Sequence, residues 1–296
     1  MSRHVLTILN RPSVDAPAHD PATPAFAFVD PTAPHLSMLD LGATRGDGIF
    51  ETISVGSGFP QAFEHHLSRF TQSAASLELP TPDLAAWRAA ILATIAQLDP
   101  APEAFVKIVL TRGVEGDGRP NGWAYGAISP DFTADRTTGI RVVLLDRGYR
   151  HDVQRTSPWL LAGAKTLSYA INRAAVREAV RRGADDVIFV SSDGIVLEGP
   201  TSTVLFRRGN TLVSPGIGLG ILDGTTQVNL FRYAESRGMA TSFEPATPDE
   251  LRAADAAWLV SSVRLAAPVR ELDGQLMPID SELSAGMNEY LGQLRL

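Results

Sequence analysis

Two periods of apolar residues alternate along the chain, every second position in short runs and every third or fourth in longer ones. The first period marks strands at Met1–Leu9, Phe50–Val55, Phe105–Thr111 and Ile140–Leu145. The second marks helices from Glu64 to about Leu77 and from Leu84 to about Leu98, the latter ending before Pro100. Further helices read from Ser168 to Arg182, stopped by Gly183, and from Thr225 to Arg237, stopped by Gly238. Between and after them lie short strands at Asp186–Ser191, Ile195–Leu197, Ser202–Arg207, Thr211–Val213, Ala257–Ser261 and Leu265–Leu272. Asp193-Gly194 and Gly209-Asn210 supply turns. Residues 10–35, with prolines at 12, 17, 21, 24, 31 and 34, read as an irregular surface segment, and Gly113–Gly126 as a glycine-rich loop. The stretch 146–164 has no clean period and reads as a linker between a smaller N-terminal domain, 1–145, and a larger C-terminal one, 165–296. Strand runs mixed with separate helices predict an α+β fold.

Composition narrows the function classes. The 296 residues are 44% hydrophobic, enough for a sizeable core. No run approaches the ~18 apolar residues of a membrane span, and the apolar start is too brief for a secretory signal. The absence of cysteine removes disulfide and thiolate chemistry and fits a cytoplasmic protein. A net charge of −7 with both signs interspersed argues against a nucleic-acid surface. An anionic ligand must therefore be met by locally placed arginines and backbone amides.

Candidate chemistry begins at Lys165, which follows the small residues Ala162-Gly163-Ala164 and precedes a helix. Glu198 stands at a strand end 33 positions later. A lysine can hold pyridoxal phosphate as a Schiff base, and a carboxylate can keep the pyridine nitrogen protonated. Arg69 lies three residues after His66 on one helix face, where a guanidinium can grip a phosphate bidentately. Gly224-Thr225-Thr226 opens a helix, a place where unpaired amides favour an anion. His65 and His66 point to different helix faces and lack an accompanying acid or thiol cluster, so no metal site is expected. Gly216–Gly220 is not a dinucleotide fingerprint, and neither a P-loop nor Gly-x-Ser-x-Gly occurs.

Taken in order, Arg45-Gly46-Asp47-Gly48-Ile49-Phe50-Glu51, His66-Leu67-Ser68-Arg69, Lys165, Glu198-Gly199 and Gly224-Thr225-Thr226-Gln227 resemble the class IV (fold type IV) pyridoxal phosphate enzymes. These include branched-chain and D-amino acid aminotransferases and aminodeoxychorismate lyase. The likeness runs from about residue 40 to about residue 274. It implies a two-domain fold with a barrel-like C-terminal core, a homodimer, and pyridoxal 5'-phosphate held between the domains. It also implies that Lys165 is catalytic and that Arg69, Tyr169, Glu198, Gly224, Thr225, Thr226, Ser261 and Ser262 hold the cofactor. Arg45, Phe50 and Arg119 become candidates for binding substrate, the arginines as carboxylate clamps; exposed surface groups are the alternative for both. Gln227 and Thr225 depart from the family's usual Gly-Ile-Thr-Arg, and Thr203 stands where many relatives have asparagine. The Gly-Asp-Gly-x-Phe-Glu form and the Thr111–Arg119 loop lean towards the lyase, which releases pyruvate and 4-aminobenzoate. An amino acid aminotransferase is the alternative, and a non-catalytic binding protein of the same fold the remote one.

Overall fold

The computed structural model describes residues 2–295, and Met1 and Leu296 lie outside the described residues. They form two compact units. The first comprises the chain up to Pro130, the short stretch Ala164–Tyr169 and the C-terminus from Leu294. Its elements are β1 (His4–Leu9), β2 (Phe26–Val29), α1 (Leu41–Arg45), β3 (Gly48–Gly56), β4 (Phe59–Pro60), α2 (Phe63–Ser76), α3 (Leu84–Gln97), β5 (Glu103–Thr111) and β6 (Asn121–Ile128). The strands make one antiparallel sheet in the order β2-β1-β6-β5-β3-β4.

Alternation decides which face of this sheet is buried. Ile49, Ile53 and Val55 of β3 and Val106, Ile108 and Leu110 of β5 join Leu67, Phe70, Trp87 and Ile91 of α2 and α3 in one core. Phe70 and Trp87 meet edge to face at 5.1 Å, and the buried indole N–H donates to the Pro12 carbonyl at 2.9 Å. The proline-rich segment is therefore partly built in: it supplies that acceptor and contributes β2, which pairs with β1. Asp83 caps α3 by accepting from the Ala85 and Ala86 amides.

The expected loop Gly113–Gly126 is a strand over its second half. Gly122 and Gly126 look like breakers but face α3, where an added Cβ would come within 2.9 Å of the Trp87 ring and 2.8 Å of the Thr94 methyl. Their missing side chains let the helix pack close to the sheet.

The second unit holds α4 (Thr133–Thr137), β7 (Ile140–Asp146), α5 (Val153–Thr156), α6 (Ala170–Arg181), β8 (Asp186–Val190), β9 (Thr203–Arg208), β10 (Thr211–Ser214), α7 (Thr225–Ser236), β11 (Ala240–Phe243), α8 (Pro248–Arg252), β12 (Ala256–Ser261), β13 (Leu265–Leu272), β14 (Gln275–Leu276) and α9 (Ser281–Gln293). Its mixed sheet runs β11-β10-β9-β12-β13-β7-β8, with β14 on β13. Ile195–Leu197, expected as a strand, makes only an isolated bridge from Val196 to Val190. The terminal helix α9 is tied down by polar contacts: Trp258 Nε1 donates to Ser284 Oγ at 2.8 Å, and the Asn288 amide bonds both backbone groups of Ala266.

The units do not divide at residues 145 and 165 as the sequence reading placed them. β7 pairs in parallel with β13 and β8, so it belongs to the second sheet. Ala164–Tyr169 belongs to the first unit. Partners in a parallel sheet lie far apart in sequence, and local periodicity carries no record of them. Among the described residues no helix is long and apolar enough to cross a membrane.

Candidate active site

In the first unit, Lys165 is fixed by its own backbone. The Phe50 amide donates to its carbonyl (3.1 Å), its amide donates to Ser73 Oγ (3.1 Å), and the Leu167 amide donates to Gly48 (2.8 Å). The segment thus runs beside β3 and is bonded to α2 as well, which fixes where the Lys165 side chain begins. The ammonium nitrogen lies 4.4 Å from the centre of the Phe50 ring, and the Tyr169 ring meets the same ring edge to face at 5.5 Å. A second amine, Lys107 Nζ, lies 4.9 Å from that ring's centre.

Beneath the sheet's other face sits a buried charged cluster. Glu51 is fully buried and accepts from Arg69 Nε (2.6 Å), Arg69 Nη2 (2.7 Å) and His66 Nδ1 (2.8 Å). Burial alone would raise the Glu51 carboxyl; the charge and hydrogen bonds of Arg69, with His66, overcome this and hold it well below the usual carboxylate range. Burial pushes His66 below its ordinary value, and the hydrogen bond to Glu51 only partly opposes that. Arg69 is thus a guanidinium with a fixed plane and a neutralised charge.

The second unit presents a different donor set. One Glu198 oxygen accepts the Leu222 amide at 3.1 Å, which fixes the carboxylate. Gly224 is the N-cap of α7 and offers no side-chain cap, so the first amides of a twelve-residue helix open onto Thr225, Thr226 and Gln227, all buried. Thr225 Oγ1 and Ser262 Oγ stand 3.5 Å apart. Arg136 donates to the Arg264 (2.8 Å) and Val263 (3.1 Å) carbonyls and so holds the turn that follows Ser261-Ser262. Among the described residues, the buried side-chain nitrogen of Gln227 has no hydrogen-bond partner. An unpaired buried donor beside open helix amides and two hydroxyls suits a multiply charged oxyanion. On that ground the residues present fit a phosphate-bearing cofactor.

Of the residues expected from sequence, Lys165, Phe50 and Tyr169 come together around one ring. Thr225 and Ser262 come together at the α7 N-terminus. Arg45, in the last turn of α1, and Arg119, 3.9 Å from Asp117, are both exposed. The cations that stack on Phe50 are the two lysines instead. Sequence reasoning passed over Glu51, His66, Ser73 and Lys107 as site residues. For Lys107 a signal was present: 26 residues are Lys or Arg, and only Lys107 and Lys165 are lysine. Both lie on the same phenylalanine.

A family model described as amino-transferase class IV matches residues 48–272. A bifunctional aminodeoxychorismate lyase / D-amino acid transaminase from Mycobacterium tuberculosis is 42% identical over 263 residues, covering 85% of this chain and 90% of that protein. A fold IV transaminase from Curtobacterium pusillum superposes with a TM-score of 0.93 at 53% identity, over 98% of each chain. The PLP-bound form of a hypothetical aminotransferase from M. tuberculosis gives a TM-score of 0.86 at 37% identity, over 97% of each chain.

Proposed function

Because the chain belongs to the class IV aminotransferase family, we propose that it is a pyridoxal 5'-phosphate enzyme. In this reading it transfers amino groups from amino acids to 2-oxo acids and releases pyruvate and 4-aminobenzoate from 4-amino-4-deoxychorismate. The observation that carries it is the Lys165 amine beside the Phe50 ring, in a segment held by hydrogen bonds of its backbone to Phe50, Gly48 and Ser73. Bound, the cofactor would supply an electrophilic aldehyde and a ring that takes up electrons. Lys165 would hold it covalently. Glu198, fixed by the Leu222 amide, would keep the ring nitrogen protonated. Gly224, Thr225, Thr226, Ser261 and Ser262, with Arg69 oriented by Glu51, would hold the phosphate, and Tyr169 the ring's phenolic oxygen.

Lys165 does the proton work. Once the substrate's amine has taken its place, the free amine of Lys165 removes the proton from the substrate carbon that bears that amine. The Phe50 ring, met edge to face by Tyr169, would form an apolar wall on one side of that amine. Both reactions need this step, and they part afterwards. The lyase reading is supported by the bifunctional relative, and Arg45 and Arg119 are its proposed clamps for the two carboxylates of aminodeoxychorismate. A cytoplasmic homodimer completes the proposal; sedimentation tests the assembly.

The chain's two lysines make the central test clean. Borohydride treatment of protein incubated with pyridoxal phosphate should bleach a violet absorbance and leave a phosphopyridoxyl group on Lys165 by peptide mass spectrometry. A label confined to Lys107, or none, overturns the assignment. Product analysis then separates the chemistries. Aminodeoxychorismate should yield 4-aminobenzoate and pyruvate, and a panel of D- and L-amino acids with 2-oxoglutarate should yield glutamate.

A further inference from the structure

The turn that carries Ser262 has a backbone that its own residues do not favour. Ser261 and Leu265 are the last paired residues of β12 and β13, and residues 262–264 make the turn between them. Leu265 has a φ of 63°, the left-handed region that tight turns usually give to glycine. Its side chain is buried, an anchorage that glycine could not supply. A residue in that region persists only where its surroundings over-determine it.

Those surroundings are polar and reach the turn from three elements. Arg136, in α4, donates to the Arg264 and Val263 carbonyls at 2.8 and 3.1 Å. The Arg264 guanidinium runs to Asp186 at the start of β8, with Nη2 2.5 Å from Oδ2, and its Nη1 lies 4.0 Å from Asp135. Asn288 of α9 bonds both backbone groups of Ala266, the residue after Leu265. The Arg264 and Asp186 side chains are only 14% and 5% exposed, so water and salt screen this ion pair little. Removing one member leaves the other buried without its partner.

The turn meets an anion site that stands on its own observations. Ser262 Oγ lies 3.5 Å from Thr225 Oγ1 in the first turn of α7. Gly224 offers no side-chain cap there, and among the described residues the buried nitrogen of Gln227 has no hydrogen-bond partner. In these contacts Arg136 and Arg264 engage backbone carbonyls and Asp186, so their effect on an anion passes through the position of Ser262.

We propose that Arg136, Arg264 and Asp186 are positioning residues for the phosphate of the cofactor: they lock the strained turn at Leu265 and so set the Ser262 hydroxyl at the N-terminus of α7. This deepens the proposed function and rests on pyridoxal phosphate being the cofactor.

Titration of the apo-protein with pyridoxal phosphate and with pyridoxal, the same aldehyde without the phosphate, tests this through the violet absorbance. In Arg264→Met and Asp186→Asn the Kd for pyridoxal phosphate should rise about tenfold, the usual effect of losing one charge-assisted hydrogen bond, while the Kd for pyridoxal stays as in the unaltered protein. Arg264→Lys, which keeps a cation for Asp186, should recover most of the loss. Arg264→Met should add little once Ser262→Ala is present, because both remove the same contact. Arg136→Met frees the turn from its other side and should give the same phosphate-selective loss even if Arg264→Met does not fold. An unchanged Kd for pyridoxal phosphate in the folded variants overturns the proposal. So do equal losses for both aldehydes, the mark of a general structural role, and full additivity with Ser262→Ala. If the unaltered protein forms no borohydride-stable adduct on Lys165 with pyridoxal phosphate, the proposed function itself falls, and the positioning role with it.

Discussion

Glu51 concentrates more consequence than any other acid of the first unit, because two cationic side chains depend on one buried carboxylate. Its folded-state carboxyl is held low, so the stability it contributes is complete above the ordinary glutamate value of about 4.3 and is lost as pH falls below it. His66 is also held low, so the unfolded chain takes up protons first as pH falls through about 6.5. The two slopes share a sign, and urea titrations should show stability falling steadily from neutrality into acid. Glu51→Gln should cost about 3–5 kcal/mol at neutral pH, the usual effect of removing one member of a buried ion pair. It should also flatten the acid slope. An unchanged urea midpoint would mean that Arg69 and His66 find other acceptors. Lys107 behaves differently: its depressed value makes its cost to folding full at neutral pH and relieved only as pH rises towards about 10.4.

Helix α3 and strand β6 show how an element can depend on atoms that are missing. Gly126 leaves 2.8 Å between a hypothetical Cβ and the Thr94 methyl, and that space is what α3 uses. Thr94 is itself held from two sides, by Thr7 Oγ1 and the Ala90 carbonyl, so it cannot easily yield. Gly126→Ala should therefore destabilise by about 1–3 kcal/mol through overpacking. Because the change lies on the face away from Phe50 and Lys165, the folded fraction should keep wild-type KM values. Measured stability equal to wild type would show that the helix can shift without penalty. The long amphipathic elements were legible in advance, α2, α3, α6 and α7 each to within a few residues. β6 was not, because Gly122 and Gly126 carry the composition of a loop and the packing reason lies in a helix some thirty residues earlier.

For the molecule as a whole, a cofactor bound only by the folded chain must raise its stability. At a hundredfold excess over Kd the gain is about 2.7 kcal/mol. Pyridoxal phosphate should accordingly raise Tm by several degrees, and Lys165→Ala should lose part of that shift together with the violet band. A Tm indifferent to pyridoxal phosphate would contradict the proposed cofactor. Much of this was readable from local pattern. Alternation and helical period mark where water lies on one side of an element and protein on the other, so the α+β class and most elements follow from them. The lysine, the carboxylate strand end and the open helix start were legible as motifs because each needs only adjacent residues. Pairing between distant segments left no such trace. Nothing near residue 140 announces that β7 joins β13, and nothing near Glu51 announces that Arg69 and His66 will converge on it. Lys107 is the sharpest case: alternation puts it on one face of β5, but only the register against β3 sets it over the ring that Lys165 also uses. A two-residue period specifies a side of a sheet, and neighbours are specified only when the strands meet.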